Sequence, residues 1–388
     1  MKVDVVIVGA RVAGASTALL LARAGARVVV VDRGRYGTDT LSTHALMRGA
    51  VLQLHRWGVL PAIVEHGTPP VSATTFVYGN DEITVPIEPK YGVDALYAPR
   101  RTLLDGLLSA VAVESGAEVI YGVSVDGLLT DSDGRVRGVT ASAGGQRHTI
   151  EADLVIGADG LYSTIARRVG AQTMVAGRHA AAVLYSYWTG VPESHYRWMF
   201  HPHRSIGAIP TNDATLVFVS VPAAEFKAEV RGDATAAYHR LIRDISPDYA
   251  ARLAGAQRVE PVHGFGGHPG FIKRSTGPGW ALVGDAGYFK DPATAHGITD
   301  AVRDAELLAR AVAAGTTAAF DQFEATRLDL SRRLFDITDE IASFESSDDR
   351  LQSLHREFSH EMTREVRALA ALEPFPCLSP SASTLHVA

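Results

Sequence analysis

The chain has 388 residues, 46% of them hydrophobic and 21% charged, with a formal net charge of -6. This composition excludes a mainly disordered protein, and the negative balance argues against a nucleic-acid surface, which needs clustered Lys and Arg. The single cysteine, Cys377, excludes an intrachain disulfide and any cysteine-based metal spacing, so a reducing, cytoplasmic setting is expected.

Val3 to Val8 is a β-branched run that carries Asp4 and is followed by Gly9 and Gly14, so it reads as a buried strand rather than a secretion signal. Ala15 to Ala24, small and apolar, predicts a helix, and Arg27 to Val31 a second strand closing at Asp32. Together they make a βαβ unit of about 30 residues. Its strands are apolar on both faces, as parallel strands covered by helices must be. Thr68 to Tyr97 alternates polar and apolar residues, holds four prolines and predicts antiparallel strands or loops. Arg101 to Ala117 predicts a helix, with Leu104, Leu108 and Val111 on one stripe. Glu118 to Leu129 and Val136 to Ile150 predict strands around a turn at Asp131–Gly134, and Leu154 to Ile156 another buried strand. Ala180 to Val221, rich in Tyr, Trp, Val and Phe, predicts an antiparallel sheet. Trp280 to Val283 reads as a core strand, Ile298 to Ala314 as an amphipathic helix, and the rest as helical until Leu372, ahead of a Pro- and Ser-rich tail. No apolar run is long enough to cross a bilayer.

Three loops at strand ends carry the chemistry. The first, Gly9-Ala10-Arg11-Val12-Ala13-Gly14, follows a strand and opens a helix, the context of a dinucleotide fingerprint. Gly9 permits the tight turn, Gly14 permits close helix–strand packing, and the helix N-terminus offers free N–H groups to a pyrophosphate. Arg11 replaces the middle glycine of the usual pattern, and Asp32 stands where a carboxylate accepts ribose hydroxyls. Alone, this loop is equally compatible with NAD. The second loop ends a strand in Ala158-Asp159-Gly160, and the third in Gly284-Asp285-Ala286. Each puts a carboxylate where open α/β sheets bind ligands, and a ligand reached by three strand ends must be extended. FAD fits that requirement, whereas each Asp-Gly pair alone reads equally as a plain turn.

The set GARVAG, ADLVIGADGLYSTIAR and GWALVGDAGYFKDPATAHGITDA resembles the three fingerprints of class A FAD-dependent monooxygenases, the single-component flavoprotein aromatic hydroxylases. That family is related to flavin halogenases and geranylgeranyl reductases. The resemblance implies an α/β fold in which a Rossmann-like FAD-binding domain is assembled from separated segments, 1–70, 98–178 and 263–330. An antiparallel β-sheet substrate domain, 71–97 and 179–262, is inserted, and 331–388 form a C-terminal helical segment and tail. It further implies that Gly9 and Gly14, with Ala10, Arg11, Val12 and Ala13, line the pyrophosphate, and that Asp32, with Arg33 beside it, meets the adenosine ribose. Arg101, or alternatively Arg100, would contact the FAD phosphates, and Val125 would meet adenine through its backbone. Asp159 lies in the fingerprint shared between FAD and NAD(P)H. Gly284 and Asp285 would meet the ribityl chain, Pro292 the flavin ring, and Gly297 and Ile298 the pyrimidine edge through their N–H groups. Asp291 and Thr299 stand where the family commonly has proline and asparagine, which weakens any transfer of substrate specificity.

Other residues carry paired readings. Lys290 would position a substrate anion, or else is a solvent-exposed loop lysine. His296 would tune the flavin or relay protons, or else is a helix-start histidine at which even a carboxylate is tolerated. His44 and Arg48 are candidates for flavin or substrate contact. Tyr187 and Trp198, with Tyr185, Trp188 and Phe200, are sheet core or pocket lining. His195, His201, His203, His263 and His268 have neither acidic partners nor helical spacing for a metal, so none is expected. The sequence has no second glycine-rich βα unit, so NAD(P)H would visit transiently. The resemblance implies a monooxygenase using NAD(P)H and O2 through a flavin C4a-hydroperoxide to hydroxylate a small aromatic or polyketide-like substrate. A halogenase, an oxygen-independent reductase and a non-catalytic redox protein are the alternatives.

Overall fold

The computed structural model describes residues 1–375; Cys377 and the end of the tail lie outside the described residues. Strand Lys2–Val8 pairs in parallel with Val28–Asp32 on one side and with Gln146–Gly157 on the other. Trp280–Leu282 extends the parallel core beyond Gln146–Gly157, and Glu118–Tyr121 extends it beyond Val28–Asp32. The register sets Val8 opposite both Val31 and Gly157, and Leu282 opposite Gly157. The three strands that feed the predicted loops are therefore adjacent, and their C-terminal ends lie in one row.

The helix Val12–Arg23 covers this sheet and is almost wholly buried, because its residues are small or aliphatic throughout. It packs against the helices Gly297–Ala314 and Arg101–Glu114. The predicted short strand at Leu154–Ile156 is the end of a 12-residue strand. Its first half closes an antiparallel ladder with Val136–Ala143, and its second half joins the parallel core.

The second sheet runs in the order Gln257–Arg258, Ala181–Thr189, Thr215–Pro222, Arg204–Pro210, Tyr196–His201, Ala73–Tyr78, Asp81–Pro86. It is antiparallel as expected except at one pair, Tyr196–His201 beside Ala73–Tyr78, which is parallel. Period-two alternation sends its residues to two cores. Tyr185, Tyr187, Trp198 and Phe218 face the main core shared with the first sheet's helices. Leu184, Trp188, Val217 and Val219 face the helices Ala234–Ile245 and Pro247–Ala254. These two helices, Ala234–Ile245 and Pro247–Ala254, were not expected from the sequence. The signals were present: Asp233 accepts N–H bonds from Thr235 and Ala236, and Ser246 caps a helix with Pro247 in its first turn.

The C-terminal segment is two helices, Thr317–Ile341 and Asp348–Ala370, packed on each other and on Gly297–Ala314 and Arg48–Arg56. Among the described residues no helix is long and apolar enough to cross a membrane.

Candidate functional site

Gly9 has φ +108°, and a Cβ there would sit 2.3 Å from the Ala158 carbonyl oxygen. At Gly14 a Cβ would lie 1.8 Å from the Gly9 carbonyl oxygen. Both positions demand glycine, as the fingerprint requires. Arg11 precedes the helix without a side-chain cap, so the first-turn N–H groups of Val12, Ala13 and Gly14 are oriented for an anion. Asp32 accepts the Ala10 N–H at 2.7 Å and the Gly34 N–H at 2.6 Å. Each carboxylate oxygen keeps a lone pair for a hydroxyl. The Arg11 side chain turns away from its loop and pairs with Asp105 at 3.0 Å, the same carboxylate that Arg101 holds at 2.9 Å. Arg33 is exposed. Val125 lies two residues past Val123, whose N–H donates to the Asp32 carbonyl at 2.9 Å.

Asp159 is committed locally. Its carboxylate accepts from Ser163 Oγ at 2.5 Å and from the Thr164 N–H at 2.6 Å, fixing the start of the helix Thr164–Arg168.

The third loop touches the first: Gly284 has φ +56°, and a Cβ there would meet Ala13 Cβ at 2.9 Å. Asp285 beside it is half-buried, and among the described residues its carboxylate makes no hydrogen bond. Burial pushes its carboxyl up to about 6, with Asp300 acting in the same direction against Arg101 and Lys290. A half-buried carboxyl lacking partners at a strand end fits a polyhydroxylated chain. Pro292 opens a single 3-10 turn, which Asp291 ties down by accepting the Ala293 N–H at 2.9 Å and the Ala181 N–H at 2.6 Å. The exposed Gly297 opens the following helix, and a Cβ there would meet nothing within 4 Å, while Ile298 is buried. The space before this uncapped helix start fits a planar ring edge that accepts N–H bonds.

Beneath this loop lies a cluster the sequence did not reveal. Lys290 is not the exposed lysine expected of a loop: its side chain is 2% exposed and pairs with Asp300. Its ammonium also lies 3.1 Å from His296 Nδ1. His296 is equally enclosed, with Nδ1 3.2 Å from Asp300 Oδ1 and Nε2 3.1 Å from Glu365 Oε2. Arg303 bonds Asp300 at 3.0 Å, Glu365 at 2.7 Å and Asp304 at 2.8 Å, and Arg327 lies 3.1 Å from Asp304. Burial lowers the Lys290 pKa despite Asp300. Burial and Lys290 also oppose the charge on His296, but Glu365 and Asp300 outweigh them and hold its pKa above the usual value. Candidate ligand atoms of His296, Asp300 and Glu365 lie within 4.8 Å of one another. Lys290 and Arg303 already supply cations to those carboxylates. The missed residues are Asp300, Arg303, Asp304, Arg327 and Glu365. The Asp300, Arg303, Asp304 spacing in the Gly297–Ala314 helix was the available signal, since i, i+3 and i+4 share a face.

On the second sheet's face, His44 is fully buried with φ +61°, and its Nε2 lies 2.5 Å from the Tyr187 hydroxyl. Its Nδ1 is buried with no hydrogen-bond partner among the described residues. Burial, with Arg101 and Arg100 nearby, pushes its pKa well below the ordinary value, so the ring is neutral. Arg100 stacks on the Tyr187 ring at 3.6 Å and pairs with Glu260. Trp198 packs on Phe218 at 5.5 Å within the core. Arg48 donates to the carbonyls of Val93 at 2.9 Å and Glu88 at 2.6 Å.

The profile of the family described as "FAD binding domain" matches residues 2–338. The chain is 28% identical to the menaquinone reductase of Mycolicibacterium smegmatis over 341 residues, covering 81% of this chain and 77% of that protein. Its fold is similar to that of the flavin-dependent brominase Bmp2, with TM-score 0.77 and 21% identity, over 97% of this chain and 95% of that one. It is also similar to Pseudomonas aeruginosa PqsL in complex with 2-aminobenzoylacetate, with TM-score 0.75 and 19% identity, over 94% of this chain and 100% of that one. With these matches and a strand-end row built for an extended dinucleotide, the chain belongs to the FAD binding domain family and is an FAD-dependent oxidoreductase.

Proposed function

We propose that this protein is a monooxygenase that uses NAD(P)H and O2 to oxygenate a small aromatic or polyketide-like substrate. The observation that carries the reading is the neutral His44–Tyr187 pair, whose buried Nδ1 has no described partner, on an aromatic sheet face. A neutral imidazole beside a phenol can donate to or accept from a substrate hydroxyl, and Arg100 stacked on Tyr187 holds that phenol in place. Bound FAD would supply the electron transfer from NAD(P)H to O2. The chain's own residues bind and orient it. The Gly9–Gly14 loop holds the pyrophosphate, Asp32 the ribose, and Asp285 the ribityl hydroxyls. Gly297 and Ile298 offer N–H groups to the pyrimidine edge, and Pro292 flanks the ring. Lys290 and His296 act from beneath through charge. In this reading segments 1–70, 98–178 and 263–330 form the flavin domain, and 71–97 with 179–262 the substrate domain.

A second reading, an oxygen-independent reductase, is favoured by the 28% identity to a menaquinone reductase over 81% of the chain. The experiment is a flavin spectrum of the purified protein, then NAD(P)H oxidation with O2 uptake and H2O2 yield across a panel of phenols and quinones. A monooxygenase shows substrate-stimulated O2 uptake with little H2O2. Quinone-dependent turnover without O2 uptake would replace the first reading with the second.

A further inference from the structure

The carboxylates Asp300, Asp304 and Glu365 share one neighbourhood with three cationic side chains, Lys290, Arg303 and Arg327. The ring of His296 lies between two of those carboxylates, Nδ1 toward Asp300 and Nε2 toward Glu365, and the Phe358 ring lies perpendicular to it at 5.7 Å. Asp300 serves Lys290 with one oxygen and His296 with the other. Glu365 accepts a hydrogen bond from Arg303 at Oε1 and sets Oε2 3.1 Å from His296 Nε2, within ion-pair range but not aligned as a hydrogen bond.

We infer that Glu365, from the C-terminal helix, is a positioning residue that clamps His296 as the imidazolium at the start of the Gly297–Ala314 helix. Two carboxylates facing two ring nitrogens favour the doubly protonated ring. The competing arrangement is a neutral ring with its Nε2–H toward Glu365 and Nδ1 accepting from Lys290. The groups facing the ring are Lys290 on the loop before it, Asp300 and Arg303 on its own helix, and Glu365 on the last helix. A fixed positive charge there adds to the positive end of the helix. The consequence for the flavin rests on the proposed placement of its pyrimidine edge at Gly297: the C-terminal helix then sets part of the flavin's redox potential without touching it.

The test reads the ring directly. Histidine-selective 15N NMR of apo and FAD-loaded protein between pH 6 and 8, with the resonance assigned through His296→Gln, should show both His296 nitrogens protonated at pH 7.5. Glu365→Gln should lower the ring's proton affinity at least tenfold, and Glu365→Asp should restore part of it. A neutral ring in the wild type at pH 7 overturns the clamp, whether or not the variant folds; so does a Glu365→Gln ring that titrates like wild type. In loaded protein Glu365→Gln should also lower the two-electron flavin midpoint, a tenfold change being about 30 mV. A changed ring with equal midpoints supports the clamp and rejects the flavin placement. Absence of bound flavin rejects the functional reading while the apo spectrum still decides the clamp.

Discussion

His44 and His296 are both enclosed, at 0% and 1% exposure, yet their surroundings shift their proton affinities in opposite directions. His44 meets a tyrosine hydroxyl and the fields of two arginines, and burial with those charges keeps it neutral. His296 meets burial and a lysine as well, but two carboxylates reverse the outcome. Burial alone therefore does not set the charge of either ring; the balance of charges around it does. The sheet side of the site keeps an uncharged donor–acceptor pair suited to a hydroxyl. The helix side keeps a compensated set of charges suited to holding a field.

The harshest way to break this contrast is to reverse the sign at 296. From the sequence, a glutamate there looks harmless, because carboxylates are tolerated at helix starts. The structure overturns that expectation, since the new carboxylate would be enclosed against Asp300 and Glu365. His296→Glu should cost about 4 kcal/mol or more, the range in which a buried unpaired charge unfolds a domain. His296→Gln should cost much less. Urea unfolding of both apo proteins at pH 7 checks this, and equal midpoints would mean that the carboxylates do not depend on His296.

A third histidine sharpens the comparison. His355 sits among Phe76, Tyr78 and Phe200, with Nδ1 2.7 Å from the Tyr78 hydroxyl and no carboxylate paired with it among the described residues, and burial lowers its pKa to about 4. The unfolded histidine titrates near its ordinary value of about 6.5. Between those two values the unfolded chain binds a proton that the folded chain refuses, so stability falls as pH falls through that window. The contribution is about 2–3 kcal/mol. His355→Phe should remove that part of the acid limb. The variant should differ from wild type more favourably at pH 4 than at pH 7 in urea titrations, and a constant difference would refute the neutral assignment.

The same contrast explains what could be read in advance. The three loops were legible because glycine requirements and strand-end carboxylates are local: Gly9, Gly14 and Asp285 each sit within a few residues of the strand that defines them. The second sheet followed from its aromatic and β-branched composition and the Gly297 helix from its amphipathic pattern, whereas the long central strand was expected as two separate pieces. The charge cluster was not legible, because Lys290, Arg327 and Glu365 come from different elements and meet only through packing of the last helices. Asp159 shows the converse. Its motif was clear, but its carboxylate is occupied by Ser163 and Thr164, which only coordinates reveal.

Asp285 lies between the two regimes, near the charged cluster but without a partner of its own. Asp285→Ala should weaken FAD binding by about 1.5–3 kcal/mol, the worth of hydrogen bonds to a charged acceptor. Equilibrium dialysis against FAD measures the loss. A variant that binds FAD as tightly as wild type would separate Asp285 from the ribityl chain. Because burial holds its carboxyl at about 6, wild-type affinity should also change across pH 5–7 in a way the variant lacks.

The gentlest change addresses the neutral side. Tyr187→Phe removes the hydroxyl 2.5 Å from His44 Nε2 and leaves the ring on which Arg100 stacks. The arginine contact survives, because a phenylalanine face also attracts a guanidinium. What is lost is one buried hydrogen bond, and His44, already without a described partner at Nδ1, is left unsatisfied at both nitrogens. That should cost about 1–2 kcal/mol in urea unfolding. His44 stays neutral, since burial and the two arginines are unchanged, so the variant should gain no new pH dependence near neutrality. Flavin content and the His296 15N signals should be those of wild type, while KM for a hydroxylated substrate rises more than kcat falls. If Tyr187→Phe instead shifts the His296 resonances or the flavin midpoint, the two sides of the site are coupled, and the separation between a neutral face and a charged one does not hold.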